Sequence, residues 1–548
     1  MLLEKAKNPA FWEKVRTSSA YRSLVDELLS LWEKDCTDVF PAGKYSEYVL
    51  FNQTGSRAEY EAFYFRRRRA MNTSALLSLI YPDNDTYFTM LCDVIWVILD
   101  EYSWVLPAHI HNFRDCSTKF IDLFAAETGF TLSEIDYLLE DRLPSLIRSR
   151  IRAEIDRRII SVYTEPQEFW WEKSRGNWAA VCAGCVGITF LYQRPDLFES
   201  IQERIDKTLR TFLTGFYEDG ICQEGFHYWH YGFGHYLCFA DLIRQFSDGK
   251  IDYLAEPKIQ TIAQYPQRMF MDGDTIVSFS DSHMKSSWHI GLLHYLKKEF
   301  PDHIHLPPQA FSYSNDSCGR WGLHLRAFLW FDETLPCEDT QNYGTDYSSV
   351  SQWLIKKTPL YSFAAKGGHN DEPHNHNDIG SFILTKNGEQ ILCDPGTGTY
   401  CREYFSDGRY AFFRTSSRGH SVPIINGQYQ KEGRTHEASA SFSEDVFTLE
   451  MHRAYDIPAL RGLTRSFSFT EATVTLRDDF SFDGQALPVV ERFISRYPVE
   501  ITPEGVLTCG LLLSADASAV VTQTEGLYCI DYALEPNATG FTLTVQIG

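Results

Sequence analysis

The chain has 548 residues, which is too long for one ordinary hydrophobic core, and its 44% apolar and 23% charged residues are typical of a globular protein rather than a disordered one. The formal net charge of −22 argues against nucleic acid or an anionic membrane as a general partner. We therefore expect two large domains, with local arginine clusters wherever an anionic ligand binds.

The N-terminal segment carries charges from the start (residues 1–7) and lacks the apolar stretch of a signal peptide. No apolar run elsewhere is long enough to cross a bilayer. The 13 cysteines are odd in number and scattered, which favours a reducing compartment over a disulfide framework. These features predict a cytoplasmic protein without a membrane partner, and they leave open whether it forms a homo-oligomer.

The N-terminal part of the chain is predicted to be helical. Apolar residues recur at helical spacing, as in Leu91, Val94, Ile95 and Ile98. Turn-forming residues such as the segment 82–85 separate the helices at intervals compatible with stacked helical hairpins. We predict a helical domain over residues 1–315, arranged as an α/α toroid.

The C-terminal part, residues 316–548, is predicted to be a β domain. Short alternating segments rich in Val, Thr and Phe, such as 467–470 and 473–477, are typical of strands. The clearest hairpin joins residues 381–385 to 390–393 through Asn387 and Gly388, a pair that readily adopts the positive φ angles of a type I′ turn.

The most informative stretch is the segment 367–382, which places three histidines and several polar side chains just before a predicted strand. His374 and His376 are two residues apart. If the segment is extended, their side chains point to opposite sides, so one can bind a metal while the other faces a ligand.

Further along the chain, Asp394 and His420 complete with His376 a set of two histidines and one carboxylate, which is suited to Zn or a similar divalent ion. Ideal pairing around the hairpin would set Asp394 opposite Ser381 rather than His376. The chain must therefore curl near Gly380 to close such a site.

Arginines are the expected contacts for an anionic ligand, because the guanidinium group binds carboxylates and sulfates in a bidentate way. The run from Arg66 to Arg69 would ordinarily be a solvated helix face, on which one or two members at most could face a ligand. The candidates are Arg66, Arg69, Arg175 and Arg414. The high aromatic share of 15% fits either sugar stacking or a large aromatic core.

The block from residue 366 to 430 resembles the C-terminal part of the heparinase II/III-like family. The resemblance rests on residues 374–382 (His-Asn-His-Asn-Asp-Ile-Gly-Ser-Phe), on 394–396 (Asp-Pro-Gly), on Arg409-Tyr410, and on the turn 416–420. The helical part is also similar, through the segments 104–109, 122–128, 177–178 and 224–232.

The resemblance implies an α+β multidomain fold, in which an incomplete α/α toroid is followed by an antiparallel β-sandwich. It also implies that His376, Asp394 and His420 hold one divalent metal ion with a structural rather than a catalytic role. Zn is the expected metal, with Mn or Ca as alternatives. His374 corresponds to the histidine of the active site.

The resemblance further implies a lyase that cleaves uronic-acid-containing, glycosaminoglycan-like chains by β-elimination. Asn177 and His374 suit neutralisation of the uronate carboxylate. A tyrosine can act as base and acid when cationic neighbours lower its pKa. Tyr228 is the first choice, with Tyr231 and Tyr236 as alternatives.

The candidate substrate-binding residues in this interpretation are Trp104, His109, Trp178 and Glu224, together with the four arginines. Two other functions stay open. One is a carbohydrate-binding protein without catalytic activity, and the other is a glycoside hydrolase that uses Glu224 and Asp219 as its two carboxylates.

Overall fold

The computed structural model describes residues 2–36, 40–110, 119–307, 316–338 and 343–548. They form two compact units, each assembled from three stretches of chain. The helical unit comprises Met1–Gly215, Tyr228–Ala263 and Ser287–Asp339, and the β unit comprises Phe216–His227, Gln264–Ser286 and Thr340–Gly548.

This division differs from the predicted boundary at residue 315. The stretch after it still belongs to the helical unit because it contains a buried helix, Trp321–Leu329. Conversely, Phe216–His227 and Gln264–Ser286 pack with the β unit although they lie far from it in sequence. Chain position alone therefore does not assign a residue to its unit.

The predicted helical character of the N-terminal part is confirmed. The α-helices of the described residues are α1 (Glu4–Lys7), α2 (Pro9–Thr17), α3 (Arg22–Asp35), α4 (Tyr45–Tyr48), α5 (Leu50–Thr54), α6 (Ala58–Ile80), α7 (Asp85–Leu99), α8 (Leu123–Leu138), α9 (Ser145–Ile155), α10 (Ser161–Thr164), α11 (Asn177–Gln193), α12 (Phe198–Leu213), α13 (Phe226–Tyr228), α14 (Gly234–Phe246), α15 (Pro257–Met269), α16 (Ile290–Glu299) and α17 (Trp321–Leu329). Among them, none is long and apolar enough to cross a membrane.

Local chemistry sets the ends of these helices and packing sets their faces. Helix α7 begins after Asn84, whose side chain accepts a hydrogen bond from the backbone N–H of Thr86, and it buries the predicted apolar stripe. Helix α11 is apolar on nearly every side and packs against α8, α12 and α14. Its Gly187 lets Phe239 of α14 approach so closely that a Cβ there would lie 2.5 Å from the ring. Helix α11 is thus a central element of the helical unit.

The strands are β1 (Phe270–Asp272), β2 (Thr275–Ile276), β3 (Gly344–Ser348), β4 (Trp353–Lys357), β5 (Ser362–Lys366), β6 (His369–Asn370), β7 (Phe382–Lys386), β8 (Glu389–Leu392), β9 (Ile424–Ile425), β10 (Gly433–Glu437), β11 (Ser439–Ser443), β12 (Val446–Glu450), β13 (Leu460–Phe469), β14 (Thr473–Phe482), β15 (Val489–Ser495), β16 (Glu500–Thr502), β17 (Gly505–Thr508), β18 (Leu511–Ala515), β19 (Ala519–Thr524), β20 (Leu527–Ala533) and β21 (Gly540–Ile547). All of them belong to the β unit.

Two large antiparallel sheets form the body of the β unit, which confirms the predicted β-sandwich. One sheet has the order β11-β12-β13-β14-β21-β18-β17-β16 and the other the order β19-β20-β15-β8-β7-β5-β4-β3, with β9 beside β15. Apolar side chains from both sheets share one core, for example Phe363 and Phe493 with Phe467 and Phe541. The predicted fold class is therefore confirmed for both units.

The hairpin of β7 and β8 turns as predicted, because Asn387 and Gly388 have φ angles of 52° and 75°. Its register is not ideal. A bulge next to Leu384 pairs this residue with Leu392, one position later than ideal pairing would give. Gly380 has a φ of 84° just before β7, which is the curl that the sequence required.

Candidate functional site

Asn177 is the first residue of α11 and is buried. The π-helical segment Trp229–Phe233 packs against it, because Gly232 has no side chain: a Cβ there would lie 3.1 Å from Cα and Cβ of Asn177. Such π-helical turns are frequent at functional sites. Tyr228 directly precedes the segment and is partly exposed. The helical unit thus places Asn177 against the segment that starts after Tyr228.

The three candidate tyrosines have different surroundings. Tyr231 is buried and donates a hydrogen bond to the carboxylate of Glu127; burial and this carboxylate raise the pKa of Tyr231 well above its ordinary value. Tyr236 is buried as well and donates to the carbonyl of Tyr253 at 3.0 Å. Tyr228 is the least enclosed of the three, so it remains our prediction for the base and acid.

An aromatic cluster lies beside the start of α11. The ring of Trp178 contacts Trp170 and His109, with centroids 4.6 Å and 4.8 Å apart. Trp170 is exposed, and Nδ1 of His109 lies 2.7 Å from the buried carboxylate of Asp122. Flat, apolar ring faces of this kind provide contact area at little entropic cost. The cluster is therefore a candidate surface for stacking a sugar ring.

Trp104, predicted to bind substrate, is part of the core of the helical unit. Its ring is 1% exposed, its indole N–H donates to the carbonyl of Ile98 at 3.1 Å, and the guanidinium of Arg158 lies 4.8 Å from its centroid. We assign this ring to the core because it has no face left for a sugar. Arg175, in contrast, is exposed just before α11.

The arginine run of α6 is engaged within the helical unit rather than forming a solvated face. Arg67 and Arg68 are buried and both bind the carboxylate of Glu101, at 3.0 Å and 2.6 Å. The two predicted members bind Asp35: Arg66 donates to its carbonyl at 3.1 Å, and Arg69 donates to both carboxylate oxygens at 2.7 Å and 2.9 Å. Partners inside the protein already hold both candidate residues.

In the β unit, His374 lies in a turn rather than in an extended segment, closed by a hydrogen bond from the N–H of Asn375 to the carbonyl of Glu372. Its φ of 58° is uncommon for a residue other than glycine, and strained positions of this kind cluster at functional sites. Nδ1 of His374 lies 2.7 Å from Asp281 and Nε2 lies 3.6 Å from Glu224. The imidazole remains 17% exposed, so a ligand can reach it.

His376, Asp394 and His420 come together as predicted, with one ligand atom from each within 4.8 Å of the others. All three side chains are buried. His420 Nδ1 lies 3.1 Å from Asp394 Oδ2, whereas His376 Nδ1 has no hydrogen-bond partner among the described residues. Unpaired buried polar atoms cost roughly 1–3 kcal/mol each. Two imidazoles and one carboxylate that face each other in this way fit a divalent cation such as Zn.

The two imidazoles are also held from the side that points away from the cluster, through their Nε2 atoms. His376 Nε2 lies 3.0 Å from Asp281 Oδ1, and His420 Nε2 donates to the carbonyl of Arg414 at 2.8 Å. Burial opposes ionisation of Asp394, but the neighbouring His420 lowers the pKa of this carboxyl below its ordinary value. Partners of this kind fix the orientation of metal-binding imidazoles.

Asp281 is the functional candidate that the sequence did not reveal. It lies in Gln264–Ser286, a stretch that packs with the β unit, and its carboxylate is buried between His374 and His376. The hydrogen bonds from these two imidazoles hold the pKa of Asp281 well below its ordinary value, although burial acts in the opposite direction. No local pattern marks the residue, because Ser-Asp-Ser is an ordinary loop sequence.

The remaining candidates in the β unit have structural partners. Glu224 is buried beside His374. Arg414 donates to the carboxylate of Glu525 at 2.9 Å and to the carbonyl of Pro395, so it ties neighbouring loops together. Asp219, the second acid of the glycosidase alternative, accepts a hydrogen bond from Ser351 at 2.6 Å.

A buried arginine connects the two loops that carry the candidate metal ligands. Arg465 donates to the carbonyl of Gly380 at 2.9 Å and to that of Ser421 at 2.6 Å. Arg465 also binds Asp478 and Glu491, at 2.5 Å and 3.2 Å, and all three side chains are fully buried. One core residue therefore fixes the ends of both loops.

Comparison with known proteins places the C-terminal region in a family. Residues 357–487 match the domain described as heparinase II/III-like, C-terminal. This region contains His374, His376, Asp394 and His420. Among curated proteins, none matches the sequence.

Solved structures share the fold at low sequence identity. Heparinase III has a TM-score of 0.63 and 15% identity over 90% of this chain and 78% of its own. A heparan sulfate lyase mutant from Pedobacter heparinus has a TM-score of 0.56 and 11% identity over 98% and 93%. A chondroitin AC lyase from Streptomyces coelicolor A3, in complex with chondroitin sulphate, has a TM-score of 0.50 and 10% identity over 98% and 82%.

The resemblance predicted from the sequence motifs is confirmed for residues 357–487. Residues 357–487 are thus similar to the C-terminal domain of heparinase II/III-like proteins, and the chain has the fold of heparinase III.

Proposed function

We propose that the protein is a polysaccharide lyase that cleaves uronic-acid-containing, glycosaminoglycan-like chains by β-elimination. Tyr228 takes the proton from C5 of the uronate, the bond between C4 and the glycosidic oxygen breaks, and the departing oxygen receives a proton from Tyr228. A double bond forms between C4 and C5, and no water is consumed. Asn177 and His374 neutralise the uronate carboxylate, so that the negative charge formed at C5 can spread into it.

The fixed orientation of His374 is the observation that carries this proposal. Its Nδ1 is held by Asp281 at 2.7 Å, which leaves Nε2 on the side of Glu224. In its protonated form the imidazole donates from both nitrogens, so it can bind Asp281 and a substrate carboxylate together. A donor that is already oriented before the reaction contributes strongly to stabilising the negative charge that develops in the transition state.

Two features of the helical unit support an anionic sugar chain as the substrate. The ring cluster of Trp178, Trp170 and His109 offers stacking surface, and Arg175 adds an exposed positive charge on the residues just before α11. The solved structures with this fold include enzymes named for heparan sulfate and chondroitin. A uronate polymer suits both the charge and the proposed chemistry.

The test is a panel of uronate polymers, followed at the ultraviolet band of the 4,5-unsaturated product. The panel contains heparin, heparan sulfate, chondroitin sulfate, hyaluronan, alginate and pectic chains. We expect absorbance to rise with at least one of them, and His374→Ala to lower kcat by about 10²–10³-fold. The matched control is His436→Ala, which removes a half-exposed imidazole bound to the carbonyl of Arg453. No rise with any polymer contradicts the lyase assignment.

The buried cluster of His376, Asp394 and His420 would hold one divalent ion, for which Zn is the best fit. When bound, the ion supplies a fixed positive charge that binds the three ligands together. With the ion bound, the three residues stabilise the domain. They are not needed for the reaction itself, because β-elimination requires only the carboxylate-binding groups and the tyrosine. This role is structural rather than catalytic.

Metal analysis and melting curves test the structural role. The purified protein should contain about one equivalent of metal, and a chelator should lower its melting temperature. His376→Ala should lose the metal, melt at a lower temperature and no longer respond to the chelator. His376→Ala with full metal content would overturn the ligand assignment.

A carbohydrate-binding protein without catalytic activity is the alternative that the exposed ring cluster also fits. Under this alternative, calorimetry would detect oligosaccharide binding while the absorbance stayed constant over long incubation. Trp178→Ala should weaken binding under either function, so the absorbance measurement distinguishes the two.

A further inference from the structure

Asp281 lies between the candidate metal site, at His376, and the imidazole proposed to bind the substrate carboxylate, at His374. Each of its carboxylate oxygens receives one imidazole: Oδ2 lies 2.7 Å from Nδ1 of His374, and Oδ1 lies 3.0 Å from Nε2 of His376. Tyr404 donates to Oδ1 at 2.6 Å and Arg409 donates to Oδ2 at 2.9 Å. A carboxylate offers about four acceptor positions, so these four donors use all of them.

The backbone around Asp281 holds this geometry. Ser280 has a φ of 67°, in the left-handed region that non-glycine residues seldom adopt. On the other side, the carbonyl of Ser282 accepts a hydrogen bond from the N–H of Thr397, in the loop that follows Asp394. A strained backbone position persists where its surroundings fix it, and here they fix the carboxylate between the two imidazoles.

We propose that Asp281 is a positioning residue that couples the metal site to the imidazole that binds the substrate carboxylate; this inference rests on the proposed function. Because Nε2 of His376 is engaged by Asp281, His376 is left to bind metal through Nδ1. Because Nδ1 of His374 is engaged by the other oxygen, the ring is turned so that Nε2, which lies 3.6 Å from Glu224, is the nitrogen offered to the substrate. One carboxylate thereby sets the orientation of both rings.

The substitution Asp281→Asn separates this role from simple space filling. Asparagine has the same shape, but its amide has one oxygen and one NH2 group in place of two acceptors. Whichever way the amide turns, one of His374 and His376 loses its acceptor and meets a donor instead. A residue that only filled space would tolerate the change.

The experiment compares purified wild-type protein and Asp281→Asn by three measurements. These are Zn affinity in competition with a chelator, the visible d–d spectrum of the Co²⁺-substituted protein, and kcat and KM on the polymer that the wild type cleaves. Loss of a carboxylate that orients a metal-binding histidine lowers affinity or activity about 10–100-fold. We expect a decrease of this size in Zn affinity and in kcat, with little change in KM, and an altered Co²⁺ spectrum.

Two further variants keep the test informative. Asp274→Asn is the matched control, since Asp274 lies in the same stretch of chain, is exposed and binds Lys285 at 3.2 Å. It should behave as the wild type. Tyr404→Phe keeps the carboxylate but removes one donor from Oδ1, the oxygen that faces His376. It should lower Zn affinity, by less than Asp281→Asn does, and it serves as the probe if Asp281→Asn does not fold.

The outcomes separate this inference from the proposed function. A folded Asp281→Asn protein with wild-type Zn affinity, Co²⁺ spectrum and kcat would overturn the coupling while leaving the lyase assignment intact. A wild-type protein that binds Zn but cleaves no polymer contradicts the proposed lyase, whereas the metal measurements still support or overturn the role of Asp281 at His376. A wild type that does neither overturns both proposals.

Discussion

The helical unit and the β unit hold their candidate groups in different ways. In the helical unit, Asn177 is placed by backbone packing against Gly232, and Tyr228 precedes the π-helical turn that makes this contact. In the β unit, His374 and His376 are joined by hydrogen bonds to one buried carboxylate, Asp281. The first arrangement depends on close approach of the backbone, and the second depends on charge.

The difference predicts how each unit responds to substitution. Packing contacts are local, so changes around Gly232 should act on their immediate neighbours. Buried charge networks act as a unit, because removal of one member leaves the others unpaired in a medium of low dielectric constant. Effects of single substitutions on the stability of the β unit should therefore be large and non-additive.

The largest effect is expected for Tyr228→Phe. If Tyr228 is the base and acid, loss of its hydroxyl should lower kcat about 10²–10⁴-fold without unfolding the protein. Tyr236→Phe is the comparison, because this hydroxyl donates to the carbonyl of Tyr253 within the helical unit. Initial rates of unsaturated product, with circular dichroism as the folding control, provide the measurement. A larger loss of activity in Tyr236→Phe would reassign the base.

Arg465→Met tests the charge network of the β unit. It leaves Asp478 and Glu491 buried without their cation, and such removal of one partner costs about 3–5 kcal/mol. Denaturant unfolding measures this loss. The matched control is Arg477→Met, an exposed arginine bound to Asp479, for which we expect a change below about 1 kcal/mol. Equal stability of the two variants would contradict a structural role for Arg465.

The pH dependence of stability probes a largely buried carboxyl of the helical unit, that of Glu127, whose side chain is 13% exposed. Burial raises the pKa of Glu127 from 4.5 to about 7. Between these values the folded protein binds more protons at this site than the unfolded chain does. The stability contributed by the neutral carboxyl is thus complete below about pH 4.5 and is lost as the pH rises through 7.

Glu127→Gln isolates this contribution, because the amide can still accept the hydrogen bond from Tyr231. Between pH 4.5 and 7, the unfolding free energy of the wild type should fall relative to that of the variant, by at most about 3 kcal/mol. Urea unfolding at a series of pH values gives the difference. Parallel curves for the two proteins would show that Glu127 titrates normally.

The smallest effect is expected for Gly232→Ala. The added Cβ would lie 3.0 Å from the ring of Phe212 and 3.1 Å from Asn177, so the π-helical turn must shift, at about 1–3 kcal/mol. Kinetics and melting curves should both respond. In Gly462→Ala the nearest atom lies at an ordinary 3.4 Å, on Ser481, and this control should be close to the wild type.

The sequence on its own determined those features that a few neighbouring residues specify. Backbone conformation and ligand chemistry are encoded over short distances, so four features followed from local patterns. These are the apolar stripe of α7, the Asn387-Gly388 turn, the curl at Gly380 and the identity of the His376, Asp394 and His420 cluster. The bulge in the hairpin did not follow, since its register depends on neighbouring strands.

Only the tertiary structure decided which groups share a buried environment. Asp281 lies more than 90 positions before His374, and nothing in its own neighbourhood marks it as the partner of two imidazoles. The same reason explains why Trp104 belongs to the core and why the arginine run binds internal carboxylates. Burial and pairing depend on what the folded chain brings together, whereas sequence periodicity reports one element at a time.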